Sequence, residues 1–194
     1  MGKIYYLMGK SSSGKDTIYK KLLEDTSLHT VVMYTTRPIR EGEKDGREYH
    51  FVNDAKLADL ENQGLVIEKR SYNTVHGVWN YFTVKDSHID LDRYDYLMIG
   101  TPDSYKSTKA YFGEEKLVPI YIALDDGVRL QRALDREKKQ ENPRYQEMCR
   151  RFLADSEDFS DIKLEEAGIR RSFYNDDLDR CIAEIREYMA HSGR

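Results

Sequence analysis

A glycine-rich segment close to the N-terminus combines residue types and spacing that suit the binding of a phosphate group. Residues 9–17 read G-K-S-S-S-G-K-D-T and follow an apolar run at residues 4–8, which predicts a buried strand leading into a loop of the form G-x-x-x-x-G-K. In such a loop successive backbone N–H groups turn inward around a phosphate at a helix N-terminus. The residues predicted to bind the phosphates of a nucleotide are Gly9, Lys10, Ser11, Ser12, Ser13, Gly14, Lys15, Asp16 and Thr17, with Lys15 bridging the outer phosphates of a triphosphate.

Asp16 occupies the position after the loop lysine, where a Ser or Thr that ligates magnesium is usual. A carboxylate ~4 Å from a phosphate charge is repelled by roughly 4 kcal/mol at an effective dielectric near 20, and a divalent cation between them reverses the sign. The apolar run at residues 96–99 has no aspartate at its end, where such folds usually hold a magnesium-organising carboxylate. We predict that Asp16 binds Mg²⁺; the alternative is that its carboxylate only faces the positive end of the helix.

The composition excludes several classes of protein. The 194 residues carry a formal net charge of −4, so a general nucleic-acid surface is not expected. No apolar run approaches the length of a membrane span, and the N-terminal strand is too short for a signal peptide. Cys149 and Cys181 lack metal-ligand spacing and are expected to be reduced thiols. We expect a single-domain cytoplasmic protein that contacts no membrane, as a monomer or a homodimer.

Strand-like and helix-like segments alternate along the chain, which predicts an α/β protein with a parallel sheet core. Short apolar or β-branched runs predict core strands at residues 4–8, 31–34, 94–99, 118–123 and 169–174. Helices are predicted at residues 17–23, 126–139, 146–162 and 177–189, and another begins at Asp103. In the helix at residues 126–139 we expect Val128, Leu130 and Leu134 to face inward. Parallel sheets of this kind bind ligands at the carboxyl ends of their strands.

An inserted lobe is predicted at residues 35–84, where short strands surround a single helix. The strands are expected at residues 49–52, 65–68 and 80–84, and the helix starts near Asn53 and stops at Gly64, a glycine suited to the position after a helix.

A long segment at the start of this lobe resembles guanylate kinases. Residues 34–52 read Y-T-T-R-P-I-R-E-G-E-K-D-G-R-E-Y-H-F-V, similar to the T-T-R-x-x-R-x-G-E-x-[DN]-G-x-x-Y-x-F segment of that family. The resemblance implies that Arg37, Arg40 and Tyr49 bind the phosphate of an acceptor monophosphate. Two guanidinium groups and a phenol hydroxyl also suit a dianionic phosphate chemically.

The resemblance covers most of the chain and implies further roles. Residues 66–68 look like the strand whose glutamate, here Glu68, accepts from guanine N–H donors. Residues 132–136 and 150–153 resemble the two ends of a lid, which implies that Arg132, Arg136 and Arg151 neutralise the phosphoryl group during transfer. The implied divisions are a core at residues 1–34, 85–134 and 149–194, an acceptor lobe at 35–84 and a lid at 135–148. Residues 175–179 resemble the segment near the adenine of ATP.

The positions that would recognise the base depart from the family. Met33 replaces a small hydroxyl residue, and His76 followed by Gly77 and Val78 replaces Tyr-Gly-x-Ser. After the central strand, the nearest polar candidate is Thr101, with Pro102 next to it instead of the family's Asp-x-x-Gly. His76 and Thr101 are still expected to contact the acceptor.

The implied activity is phosphoryl transfer from ATP with Mg²⁺ to a nucleoside monophosphate, GMP or dGMP. Two alternatives remain open at this stage. The first is a kinase of another small monophosphate, including one of the ribose bisphosphate phosphokinase type, and the second is a non-catalytic guanylate-kinase-like interaction domain. Such interaction domains have lost the phosphate loop, whereas Gly9, Gly14 and Lys15 are all present here.

Overall fold

The computed structural model describes residues 2–24, 27–40, 42–74, 77–85 and 89–192. Over these residues the strands are β1 (Ile4–Gly9), β2 (His29–Thr30), β3 (Tyr34–Thr35), β4 (His50–Phe51), β5 (Val66–Thr74), β6 (Gly77–Val84), β7 (Tyr96–Gly100), β8 (Leu117–Ala123) and β9 (Ser172–Tyr174). The helices are α1 (Lys15–Glu24), α2 (Asp54–Asn62), α3 (Pro102–Phe112), α4 (Asp126–Lys138), α5 (Tyr145–Asp158), α6 (Asp161–Glu166) and α7 (Leu178–Ser192), and a short 3-10 helix spans Glu114–Lys116.

The larger sheet has the order β2-β7-β1-β8-β9 over the described residues, and every neighbouring pair is parallel. Strand β1 lies at its centre and is buried along its whole length. Apolar side chains cover both faces, with Tyr6 and Met98 in one cluster and Leu7 and Ile120 in the other. The strands of a parallel sheet covered on both faces are apolar throughout. Short apolar runs in the sequence therefore predict these strands. The predicted α/β fold with a parallel sheet core is confirmed.

A smaller sheet with the order β4-β3-β6-β5 lies in the inserted segment together with helix α2. Strands β5 and β6 form a long antiparallel hairpin, and helix α2 packs Leu57 and Leu60 against Phe82 of β6. The Asn53 side chain accepts from the backbone N–H of Lys56 and so caps α2 at its N-terminus, as the sequence predicts. At the other end Gly64 has a φ of 67°, a conformation that glycine adopts without strain.

The strand predicted at residues 31–34 is wrong in its bounds. The chain instead forms β2 two residues earlier and β3 at its end, and these belong to different sheets. Residues between them cross from one sheet to the other, and only Val31 still donates to Leu97 of the main sheet, at 3.3 Å. A continuous β-branched run does not reveal such a crossing, because both parts favour extended backbone.

The single helix predicted at residues 146–162 is two helices, α5 and α6. The break falls at Phe159, whose backbone leaves the helical region at φ −115° and ψ 32°. The Phe159 ring is buried and stacks on Tyr121 of β8, with ring centroids 5.8 Å apart. Turning this ring into the core redirects the chain, so burial of one aromatic side chain overrides the helical propensity of the segment.

The inward face predicted for α4 is wrong at Val128 and Leu130, whereas Leu134 is half-buried. Val128 and Leu130 are 42% and 40% exposed, whereas Arg129, Ala133 and Glu137 are buried. Their partners are polar: Arg129 binds a carbonyl and carboxylates, and Glu137 accepts from the backbone N–H of Arg144. Apolar residues at helical spacing predict the face of a helix that packs on a core. The prediction fails here because α4 packs on the glycine-rich loop and on α5.

No helix in the described part of the chain is both long and apolar enough to cross a membrane.

Candidate functional site

A large cleft lies between the carboxyl ends of β1 and β7, the face of the smaller sheet and helix α5. Its volume is about 950 Å³. The predicted site residues that line it are Gly9, Ser11, Lys15, Asp16, Arg37, Arg40, Tyr49, Thr101 and Arg151. The fold therefore brings the glycine-rich loop, which follows β1 of the larger sheet, to one cavity with Arg37 and Arg40, which follow β3 of the smaller sheet.

The glycine-rich loop has the geometry of a phosphate cradle. It begins where β1 ends, and α1 starts at Lys15, with the N–H groups of Thr17 and Ile18 donating to the Gly14 carbonyl at 3.1 Å. Gly14 has a φ of 89°, and Ser12 adopts a φ of 62°, which is costly for a residue with a Cβ. The hydroxyl groups of Ser12 and Ser13 are buried without a hydrogen-bond partner among the described residues. Strain and unpaired hydroxyls at this place fit a loop built around a polyanion.

The loop is held from outside by residues on two other elements. The Asn175 side chain donates to the Ser13 carbonyl at 2.7 Å, and a Cβ on Gly14 would lie 2.1 Å from that same amide. Glycine is thus required at position 14 both for its φ and for the close approach of Asn175. From the α4 side, Arg129 donates its Nε–H to the Ser11 carbonyl at 3.0 Å. Sequence reasoning missed Arg129 because it assigned α4 an apolar inner face.

Helix α5 also contacts the loop. The Asp155 carboxylate accepts from the Ser11 backbone N–H at 2.7 Å and from Arg129 at 3.2 Å. Arg151 donates to the Ser11 hydroxyl at 3.2 Å. Arg150, which also lines the cleft, forms a two-pronged pair with Glu147 at 2.7 and 2.8 Å.

The three arginines predicted to meet the transferring group have different positions. Arg151 lies in the cleft beside the loop. An Nη atom of Arg132 lies 4.0 Å from the place where a Cβ on Gly14 would stand, although much of its side chain is exposed. Arg136 is exposed on the last turn of α4 and is absent from the described lining of the cleft. The predicted lid, residues 135–148, comprises the end of α4, a polar loop and the first turn of α5.

Asp16 opens onto the cleft. Its side chain is 79% exposed and one oxygen lies 3.4 Å from the Lys15 ammonium. Over the described residues no group of three or more metal-binding side chains comes together. A single exposed carboxylate beside a phosphate loop still fits a magnesium ion, because Mg²⁺ keeps most of its waters and takes one or two carboxylates with substrate phosphates.

Arg37 and Tyr49 form the wall of the acceptor lobe. The Arg37 guanidinium is 3% exposed, pairs with both oxygens of Glu43 at 2.8 and 2.6 Å, and lies over the Tyr49 and Phe51 rings. The hydrogen bonds from Arg37 hold the pKa of the Glu43 carboxyl below its ordinary value, against the opposing effect of partial burial. Burial raises the pKa of the Tyr49 hydroxyl, which keeps that group a neutral donor. Arg40 is exposed, and its backbone N–H also binds Glu43 at 2.8 Å.

The floor of the cleft holds a buried charged pair. Glu68 accepts from the Thr83 hydroxyl at 2.8 Å and from the Arg70 Nε–H at 3.2 Å. Arg70 lines the cleft, whereas Glu68 is absent from its described lining. Sequence reasoning singled out Glu68 and missed Arg70, although the period of two along a strand places both on one face.

Two other predicted acceptor residues remain. Thr101 is the N-cap of α3, where it and Ser104 bond to each other's backbone N–H groups, and it also lines the cleft. His76 lies outside the described residues.

Comparison with known proteins assigns the chain to a family. A sequence model of the guanylate kinase family matches residues 1–192. The chain belongs to the guanylate kinase family. A guanylate kinase of Novosphingobium aromaticivorans is 29% identical over 97% of this chain and 81% of its own length. One of Aromatoleum aromaticum is 42% identical over 82 residues, which span 42% of this chain and only 38% of that relative.

A solved structure shows the same fold. The crystal structure of guanylate kinase from Anaplasma phagocytophilum superposes with a TM-score of 0.68 at 20% identity, covering 98% of this chain and 85% of that one. The resemblance drawn from residues 34–52 is therefore confirmed at the level of the guanylate kinase family.

Proposed function

We propose that the protein transfers the γ-phosphoryl group of ATP to a nucleoside monophosphate, with GMP or dGMP as the acceptor. The observation that carries this proposal is the single cleft lined by both the phosphate loop and the pair Arg37 and Tyr49. One end of the cleft offers backbone N–H groups and Lys15 to a triphosphate, and the other offers arginines and a phenol to a monophosphate. Membership of the guanylate kinase family supports the same assignment.

The chemistry requires positioning and charge neutralisation. An acceptor phosphate is already an anionic nucleophile, so no general base is needed. The loop fixes the donor phosphates, Arg37, Arg40 and Tyr49 fix the acceptor phosphate, and Arg151 stands beside the loop where the transferred group would pass. Arg132 also lies near the loop, whereas Arg136 would need α4 to rearrange. Charge on the transferred group is neutralised by these side chains in a cleft from which closure excludes water.

Magnesium is proposed as the metal. Asp16 would hold the ion at the edge of the loop, where it would neutralise charge on the polyphosphate. The cytoplasm is proposed as the compartment, consistent with two unpaired cysteines and with the nucleotides that the cleft suits.

The test is a coupled ADP-release assay over a panel of acceptors, namely GMP, dGMP, IMP, AMP, CMP, UMP and ribose bisphosphate, at fixed ATP and Mg²⁺. We expect GMP and dGMP to be phosphorylated. Strong turnover of an unrelated monophosphate with negligible turnover of GMP would overturn the assignment of the acceptor.

A thermal-shift measurement with ATP separates a kinase from a non-catalytic domain. A ligand that binds only the folded state at one hundred times its Kd stabilises it by ~2.7 kcal/mol, which is readily seen as a higher melting temperature. Absence of any stabilisation by ATP with Mg²⁺ would contradict a kinase function.

A further inference from the structure

Arg70 stands on the floor of the cleft with hydrogen-bond donors that the protein leaves unused. It lies on the cleft-facing side of β5, together with Tyr72 and Thr74, and its side chain is 15% exposed. On the neighbouring strand its register partner is Tyr81, whose ring packs edge-on against Tyr72 with centroids 5.8 Å apart. The two rings and the guanidinium all line the cleft.

Most N–H donors of Arg70 have no strong acceptor in the described part of the protein. A guanidinium carries five N–H donors. In the described part of the protein, Nε donates to Glu68 at 3.2 Å and Nη2 donates to the sulfur of Met33 at 3.4 Å, a weak acceptor. The remaining Nη donors have no oxygen partner among the described residues. Because Arg70 lines the cleft, a ligand there can bring oxygen or nitrogen acceptors to these donors.

The charge of Arg70 is already balanced. Glu68 is 2% exposed and is paired with Arg70, and its other oxygen is occupied by Thr83. The guanidinium remains protonated: burial opposes its charge, but Glu68 and neighbouring tyrosine hydroxyls raise its pKa further above the ordinary value. A neutral pair does not call for a second anion. The pair is suited instead to a neutral ligand whose acceptor atoms meet the remaining Nη donors of Arg70.

We propose that Arg70 selects the base of the acceptor nucleotide, by donating to the O6 and N7 atoms of a 6-oxopurine. Arginine pairs with this edge through two hydrogen bonds, whereas a 6-amino group places a donor against a donor. The inference rests on the proposed function, because it assumes that a nucleoside monophosphate occupies the cleft. It also predicts weak selection for the 2-amino group, since both oxygens of Glu68 are already bonded within the protein.

Substrate analogues test this on the unaltered protein. We expect IMP, which lacks the 2-amino group, to have a kcat/KM within about tenfold of GMP. The monophosphate of 2,6-diaminopurine riboside, which replaces O6 by an amino group, should be at least tenfold to a hundredfold poorer than GMP, mainly through KM. A diaminopurine nucleotide used as well as GMP, or a loss for IMP as large as for the diaminopurine analogue, would overturn the proposal.

The variant Arg70→Lys assigns the selection to Arg70. It keeps the charge beside Glu68 but removes the planar two-donor edge, so the preference for GMP over the diaminopurine nucleotide should fall by tenfold or more. The double variant Glu68→Gln/Arg70→Gln gives the same comparison with an uncharged pair, should the lysine variant unfold. Lys69→Gln is the matched control, because Lys69 lies on the opposite, exposed face of β5 and should leave the preference unchanged.

An unchanged preference in both Arg70 variants would contradict the role of Arg70. A failure of the proposed function is distinguishable, because then the parent protein does not phosphorylate GMP, whereas a failure of the Arg70 assignment leaves GMP phosphorylated with its preference unchanged in the variants.

Discussion

The two halves of the cleft present hydrogen-bond donors of different kinds to the nucleotides proposed to bind there. The proposed donor half offers backbone N–H groups together with Lys15, in a loop fixed by Gly14 and by supports such as Asn175 and Arg129. The acceptor half uses side chains, among them Arg37, whose guanidinium is held by Glu43, and Arg70, which is held by Glu68. Backbone donors recognise any polyphosphate, so the first half fixes the class of chemistry. Side-chain donors can be exchanged one at a time, so the second half sets the acceptor.

Replacing Lys15 tests the donor half with the largest expected effect. Lys15→Met removes the cation that would meet the outer phosphates, and we expect kcat to fall by a factor of about a hundred to a thousand. The fold should persist, because among the described residues the Lys15 ammonium pairs with no acidic side chain other than the exposed Asp16. The measurement is ADP release under saturating acceptor. Lys21→Met, on the exposed side of α1, is the control and should retain activity. Equal rates for the two variants would exclude a role for Lys15.

Replacing Arg129 tests the support behind the loop. Arg129→Met leaves the Asp155 carboxylate, which is 16% exposed, without its cation and releases the Ser11 carbonyl. Breaking a buried pair by removing one partner costs about 3 kcal/mol or more of unfolding free energy. Urea denaturation monitored by circular dichroism measures this. Lys138→Met on the exposed end of α4 is expected to change stability by less than about 0.5 kcal/mol. A loss below about 1 kcal/mol for Arg129→Met would show that Arg129 does not hold the loop.

Replacing Asp16 separates a metal-binding role from an electrostatic one. If Asp16 holds magnesium, Asp16→Asn should reduce activity by about tenfold, and more than Asp16→Ser, since a serine hydroxyl is a usual ligand at this position. Titration of Mg²⁺ at fixed ATP should show a higher requirement for the asparagine variant. Both variants matching the parent at every magnesium concentration would remove Asp16 from the metal site.

A pH titration tests the acceptor half with the smallest expected effect. The pKa of Glu43 is lowered from 4.5 in the folded state, chiefly by its hydrogen bonds from Arg37. The stabilisation from a lowered pKa is complete above pH 4.5 and is lost as the pH falls through the folded-state value. The parent should therefore lose more stability than Glu43→Gln on acidification below pH 4.5. Parallel stability curves for the two proteins between pH 6 and 3 would show that the pair contributes nothing.

The difference between contiguous and dispersed site residues explains which of them could be predicted from the sequence. The phosphate loop and the segment that holds Arg37 and Tyr49 are contiguous, so their spacing alone indicates their chemistry. No local sequence pattern indicates a role for Arg70. Its environment depends on the pairing with Glu68 and on the sulfur of Met33, which lies in the connection between β2 and β3. Arg129 was missed for a related reason: an arginine on a helix is usually exposed, and only its partners in the loop and in α5 make it buried. The end of α5 at Phe159 likewise depends on a distant ring, that of Tyr121.

The most direct test of this division is calorimetric titration of GMP and of ATP, each alone, into the parent protein and into Arg70→Lys. If ATP binds the glycine-rich loop and GMP binds side chains that include Arg70, GMP binding should weaken by tenfold or more in the variant. ATP binding should stay within about twofold of the parent. Equal weakening of both nucleotides, or unchanged binding of GMP, would contradict the account.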